Sequence, residues 1–341
     1  MKCWQNCCIK RRKLSPKILL IGSAVGVVLC ALLGIGLGAA PVGVSDWRQV
    51  LSGNFESPIA RILLYVRLPR VAAGLFAGAG LAVAGVIIQT ILGNPLAGPN
   101  IIGVNAGAGF FAVVCCALFP ALPLLVPMGA FLGAMVSVLL VYGIAHKTDA
   151  SRITIVLAGV AINSFLNACT DTVQTLIPDA LPAGNAFRIG GLASVSTSIL
   201  VPACVLIVIA LAATFFLRNE LELLGLGEET AASLGLPTKR IRFYLLLCAA
   251  CLAGASVSFA GLIGFVGLIV PHAARFFVGS SARHLLPLSA LWGAGLVVLC
   301  DTLSRILFAP YELPVGIVLS FLGAPFFVWL LIKKRGRCSH D

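Results

Sequence analysis

The chain has 341 residues, of which 60% are apolar and only 11% charged; soluble domains carry about 25% charged residues, so a water-soluble globular protein is excluded. Its net charge of +12 would suit a nucleic-acid partner, but the basic residues lie in short clusters between apolar runs, and no polar domain exists to carry such an interface. Apolar runs of about 20 residues, the length that crosses a bilayer, recur from end to end, without the short alternating segments of a β-barrel, and predict an all-α polytopic membrane protein.

In chain order, the basic segment KRRKLSPK (10–17) leads into 23 apolar residues, Ile18 to Ala40. A signal-peptide core is about 7–15 residues, so this run reads as a retained first span. The tail before it contains Cys3, Cys7 and Cys8. It lacks the Cys-x-x-Cys pairing and histidines of a zinc site and reads as reduced thiols on a flexible segment. Further spans are expected at about 71–92, 101–119, 124–145, 153–177, 199–217, 243–261, 263–278, 285–308 and 315–332. Pro120 and Pro123 divide residues 101–145 into two helices. Gly261, Gly264 and Gly267 mark a turn within 243–278. The eight cysteines inside apolar runs act as small hydrophobes.

Basic residues concentrate on the cytoplasmic side of membrane proteins. With the N-terminus inside, residues 1–17, 146–152, 218–242, 275–283 and 333–337 place 18 of the 24 Lys and Arg on that side. The other six, Arg48, Arg61, Arg67, Arg70, Arg188 and Arg305, lie opposite, without a lysine. Both termini are therefore expected in the cytoplasm. That requires an even number of spans, which ten satisfies and nine does not. The expected organisation is a basic tail 1–17, one membrane domain 18–332 with a cytoplasmic loop 218–242, and a basic tail 333–341.

Residues 78–103 and 254–279 share nine of 26 positions at a constant offset of 176, including Gly85/Gly261, Pro95/Pro271, Ala97/Ala273 and Gly103/Gly279. On this topology the two copies run in opposite directions. Halves of about 18–177 and 199–332 would then be inverted five-helix repeats, a transporter architecture; small residues that let helices approach closely give the same pattern.

Four stretches carry candidate function. RLPR (67–70) sets two arginines at the end of a span, either as interface anchors or, with Arg305, as guanidinium forks for the carboxylates of a partner. NPLAGPNIIGVNAGAG (94–109), with Asn94, Pro95 and Asn105, cannot be a continuous helix. Irregular backbone at membrane depth survives where it is buried in protein or lines a cavity. RNELELLGLGEETAASLGLPTKRIR (218–242) holds four acids and four bases, and EETAASLG reads as a short helix ended by Gly235 and Pro237. Asn163, Asn167, Asp171, Gln174, His272, Arg275 and Asp301 lie within spans, as functional groups or as locally paired ones. They do not form the chain of acids of a proton-coupled carrier. No phosphate-binding loop occurs, since the sequence has no Gly-Lys pair, so ATP hydrolysis would belong to another chain.

Taken together, RLPR (67–70), GNPLAGPNIIGVNAGA (93–108), LAGVAINS (157–164), LGEETAASLG (226–235), GFVGLIVPHAARFFVG (264–279), LLPLSALWGA (285–294) and DTLSRILFAPYELPVGIVLSFLGAPFFVWLL (301–331) resemble the FecCD family. These are permease subunits of bacterial ATP-binding-cassette importers for iron–siderophores, haem and vitamin B12. The resemblance implies ten transmembrane helices per chain and a homodimer or paired permease with the path between the two. It further implies two cytoplasmic ATPase subunits, an extracytoplasmic binding protein, and residence in the bacterial inner membrane. It assigns Arg67, Arg70 and Arg305 to docking of the binding protein. Glu228, Glu229, Thr230, Ser233, Leu234 and Gly235 match the loop that inserts into the ATPase. Thr148, Asp149 and Ser151 fall at the inner gate. It implies no catalytic residue, cofactor or resident metal, and leaves the cargo open among ferric siderophore, haem and cobalamin, with ferric siderophore favoured. Two departures are the longer, cysteine-rich N-terminal tail and Arg188, where the family often has Trp. An ion-coupled secondary transporter would also show ten spans and inverted repeats.

Overall fold

The computed structural model describes residues 15–38, 58–147, 152–193, 195–307 and 311–335, with no strand among them. The apolar helices are α1 (Pro16–Gly36), α2 (Leu68–Leu92), α3 (Val104–Leu118), α4 (Leu125–Lys147), α5 (Arg152–Leu176), α6 (Thr197–Phe216), α7 (Thr238–Ala260), α8 (Val266–Val278), α9 (Ala282–Ile306) and α10 (Val315–Arg335). Among the described residues, seven helical rods are long and apolar enough to cross a membrane: α1, Pro58–Leu92, and those of α4, α5, α6, α7 and α9. The helices α3, α8 and the apolar part of α10, Val315–Val328, are shorter.

Local chemistry sets the ends. Pro16 opens α1 behind Ser15, whose hydroxyl accepts from the Ile18 amide at 3.4 Å, a Pro-at-N1 start with a side-chain cap. Gly93 closes α2 in the left-handed conformation, the usual glycine stop. The turn expected inside 243–278 is present: α7 ends at Gly261 and α8 starts after Phe265. Phe265 is itself left-handed, with φ +65°. Its ring lies against Gly323 of α10, where a Cβ would stand 2.5 Å from it.

Two expectations about the chain path are corrected. First, α2 does not start behind a loop at residue 71: a short turn Pro58–Arg61 and a π-helical segment Ile62–Arg67 run into it, giving a 35-residue rod. Arg67 and Arg70 therefore project from continuous helix, with Pro69 at the junction where the π-helical segment passes into α2. Second, the matched copies at offset 176 have different backbones. Gly85 lies mid-α2 while Gly261 ends α7; Pro95 lies in a turn while Pro271 lies inside α8. Only their closing glycines, Gly103 and Gly279, share a positive φ. Small residues serve close helix contact as well as chain breaks, so identical letters here carry different geometry.

The bundle is centred on α2. Of its apolar window 78% is buried, against 28% for α5 and α6 and 6% for α1. Backbones meet where side chains vanish: a Cβ on Gly78 of α2 would stand 2.1 Å from the Gly293 carbonyl oxygen of α9, and one on Gly107 of α3 would stand 2.2 Å from that of Gly133 in α4. In packing, α2 and α7 lie against each other, α2 lies against α9, and α7 lies against α4. The peripheral α1 leans mainly on α9, where the Trp292 indole N–H donates to Ser23 Oγ at 2.8 Å.

Candidate functional site

Three polar regions stand out. At the end of the bundle where α2 begins and α9 finishes, Asp301 and Arg305 lie one turn apart on α9 and face Arg70 of α2. Arg70 Nε donates to both Asp301 carboxylate oxygens at 3.0 Å, and its Nη1 donates to Glu312 Oε2 at 2.7 Å. Arg305 Nε lies 3.3 Å from Asp301 Oδ2. The same pair of arginine side chains that the sequence placed with Arg70 also finish α1. Arg305 Nη2 donates to the Gly34 carbonyl at 2.8 Å, and Arg67 Nη1 donates to those of Ile35 and Gly36 at 3.0 Å. The last carbonyls of a helix lack intrahelical donors and carry partial negative charge, so two guanidinium groups fit there.

The three arginines that the resemblance assigns to docking are covered by their own neighbours. Arg67, Arg70 and Arg305 are 4%, 7% and 3% exposed, and Asp301 is 2% exposed. Ions removed from water cost several kcal/mol each unless paired in good geometry, and the neighbouring carboxylates and carbonyls supply that pairing. The sequence showed the arginines but not their partner. The Asp301–Arg305 spacing of four inside an apolar run was the available signal.

At the opposite end, two short helices, Arg218–Gly225 and Glu228–Ser233, follow α6. Leu221, Leu224 and Ala231 are buried and anchor them. Gly227 and Gly235, with φ +120° and +83°, make the turns on either side of the second. Glu228 pairs with the buried Arg242 at 2.5 Å. Glu229, Thr230, Ser233, Leu234 and Gly235 are exposed, and Leu226 and Leu234 present 58% and 61% of their surface. Leu234 was among the residues matched to the loop that meets an ATPase; the second outward leucine, Leu226, was not. Also missed was Glu222, whose Oε2 accepts from the Ala282 amide at 3.2 Å and from Ser281 Oγ at 3.3 Å, capping α9.

Between these ends lies an open cleft of about 680 Å³, lined by Asn105 of α3, Arg188 of the short helix Leu181–Ile189, Leu262 and Gly264 of the α7–α8 turn, and Ser320 and Phe321 of α10. Beside it, α5 exposes Ser164, Asn167, Asp171, Thr172 and Thr175. Asp171 lies 3.8 Å from Arg188. Exposed polar groups on a membrane-spanning helix are expensive against lipid and mark a water-filled or protein-covered face.

Asn105 reaches the cleft, whereas Asn94 holds its own turn, accepting from the Leu96 amide at 3.0 Å, with Pro95 half-buried beside it. The connection after α2 is tied to α5 by Asn163 Nδ2, which donates to the Asn100 carbonyl at 2.8 Å. Arg275 donates to Gln89, and Gln89 Nε2 donates to the Gly267 carbonyl at 3.2 Å; His272 is buried against Phe276. Thr148, Asp149, Ser151 and the N-terminal cysteines lie outside the described residues.

All three regions fall within residues 26–333, the segment that matches the profile of the FecCD transport family. The chain belongs to that family. Among FecCD relatives, it is 38% identical over 309 residues to the Fe(3+) dicitrate transport system permease protein FecD of Escherichia coli, covering 90% of this chain and 95% of that one. It is 36% identical over 326 residues to the Fe(3+)-citrate import system permease protein YfmD of Bacillus subtilis, covering 96% and 98%. The hemin transport system permease protein HmuU of Yersinia pestis is 35% identical over 342 residues, covering 96% and 99%. A solved structure described as an inward-facing metal-chelate type ABC transporter superposes with a TM-score of 0.83 at 30% identity, over 93% of this chain and 99% of that one.

Proposed function

We propose that this FecCD chain is the permease subunit of an ATP-binding-cassette importer that moves a ferric chelate across a bacterial cytoplasmic membrane. One observation carries the reading: the family match runs over residues 26–333, onto relatives named as permeases of iron and haem transport, in a sequence without a phosphate-binding loop. The chain offers a path, and the ATPase is a separate subunit.

In this reading ten helices cross the bilayer, with both termini in the cytoplasm. The reciprocal packing of α2 on α9 and α7 on α4 supports inverted five-helix halves, since a shift of five exchanges the two contacts. A second permease covers the polar face of α5 and closes the cleft into a path past Asn105, with Asn94 and Pro95 shaping its wall and Thr148, Asp149 and Ser151 at its inner gate. The ATPase docks on Glu229, Thr230, Ser233 and Leu234, whose exposure suits a partner surface, with Glu228 and Gly235 setting the helix. The extracytoplasmic binding protein docks at the Arg67, Arg70 and Arg305 end. Its carboxylates would compete with Asp301 and Glu312 for guanidinium groups that are already formed into a receptor.

The iron–citrate names among the relatives support a ferric carboxylate chelate as the cargo to test first, with haem next. Cells deleted for this gene should lose uptake of radiolabelled ferric citrate and regain it on complementation, and vesicle uptake should be vanadate-sensitive. Accumulation by the purified chain alone in liposomes on an ion gradient would replace this reading with a secondary carrier.

A further inference from the structure

The two polar ends of the bundle are held by the same two helices. Arg70 stands on the first turn of α2, and Asp301 and Arg305 stand on the last turns of α9. At the other end, the short helix Arg218–Gly225 packs on both α2 and α9, and its Glu222 caps α9 through Ala282 and Ser281.

Between the ends, α2 and α9 cross in direct backbone contact. A Cβ on Gly78 would stand 2.1 Å from the Gly293 oxygen, and one on Gly293 would stand 2.2 Å from the Gly78 oxygen. One side of the crossing is extended by Gly74, where a Cβ would stand 3.0 Å from Val298. At Gly78 and Gly293 the two backbones meet directly, with the Ala82 methyl group wedged beside them. The one proline of α9, Pro287, falls in its first two turns, and residues 288–306 continue as helix without a break.

We propose that α2 and α9 act as one strut between the loop at 218–235 and the guanidinium cluster, and that Glu222 is the positioning residue fastening the loop to that strut. The proposal rests on the reading of these two ends as the ATPase and binding-protein faces. It deepens that reading by giving the buried arginines a route to exposure. Displacement of the loop pulls the start of α9 through the Glu222 cap. Because the Gly78–Gly293 crossing cannot slip, the same displacement shifts Asp301 against Arg70 and loosens the ion pair that hides the arginines. Contiguity by itself is not coupling, so the test measures transmission.

The full-length chain in lipid nanodiscs is compared by hydrogen–deuterium exchange before and after Glu222→Ala. Loss of the cap should speed exchange about tenfold in the first turn of α9, the change typical of a lost helix cap. It should also speed exchange at residues 301–307, about 30 Å away at 1.5 Å per residue. Acceleration confined to 282–285 means a purely local cap and overturns the proposal. Should Glu222→Ala not fold, Glu222→Gln keeps a carbonyl acceptor and should give a smaller change at both places; a change at the near end alone overturns the proposal equally. Uptake of radiolabelled ferric citrate by cells carrying the whole importer separates the two readings. Faster exchange at 301–307 with undiminished uptake keeps the strut and removes the loop as the entry point of ATP-driven motion.

Discussion

The two charged ends of the bundle hold their polar groups in opposite ways. Around Asp301, three arginines and two carboxylates from the π-helical segment Ile62–Arg67, α2, α9 and the segment before α10 are drawn together, and four of the five are almost wholly buried. Around Glu229, most charged and hydroxyl groups face outward, and Glu228–Arg242 is the pair that ties the helix to the bundle. The first arrangement joins helices that are distant in sequence, so its charges are structural as well as available for recognition. The second spends little of its surface on its own fold, which leaves it free for a partner. Residue type alone does not separate these roles; burial and partner do.

That contrast can be broken at its strongest point. Asp301→Ala leaves Arg305 and half of the Arg70 pairing uncompensated in a buried site, and should lower stability by about 3–5 kcal/mol, read as the unfolding midpoint of the detergent-solubilised chain. Next is the crossing beneath the cluster. Gly78→Ala forces a methyl group into the Gly293 backbone and should destabilise by about 1–3 kcal/mol on the same assay. At the other end the effects shrink. Glu228→Gln keeps a hydrogen-bonding oxygen but removes the charge facing Arg242, and should cost about 1 kcal/mol. Leu226→Ser with Leu234→Ser should change stability by no more than about 0.5 kcal/mol and yet abolish co-purification with the ATPase subunits. Equal destabilisation by the leucine pair and by Asp301→Ala would erase the distinction between the two ends.

Much of this arrangement was legible in the residues. The apolar runs place the helices because burial in lipid requires length and hydropathy, both of which are local properties. The break at 93–103 was legible for a similar reason, since Pro95, Pro99 and Gly103 exclude a continuous helix. What escaped was pairing at a distance. Arg70 meets Asp301 across 231 residues, and nothing near Arg70 announces that it will be covered. Glu222 was hidden among the acids of a polar loop, where only the position of α9 gives it a role. The repeat misled in detail because glycine serves a helix crossing at Gly85 and a chain reversal at Gly261 with the same letter. Phe265 could not be anticipated at all: a bulky residue in the left-handed region is held there by packing against Gly323, a contact made only after α8 and α10 meet.

The dependence of α1 on α9 bears on how the chain is made. Ser23 and Gly34 find their partners Trp292 and Arg305 only 269 and 271 residues later, an interval that a ribosome covers in about 15–55 s at 5–20 residues per second. Until then α1 has only the Arg67 guanidinium and the start of α2 to lean on, so the newborn chain must hold a loosely seated helix at the insertion machinery or in the bilayer. A message that stops before α9 releases a protein whose α1 lacks its main support, and such fragments are natural substrates for membrane quality-control proteases.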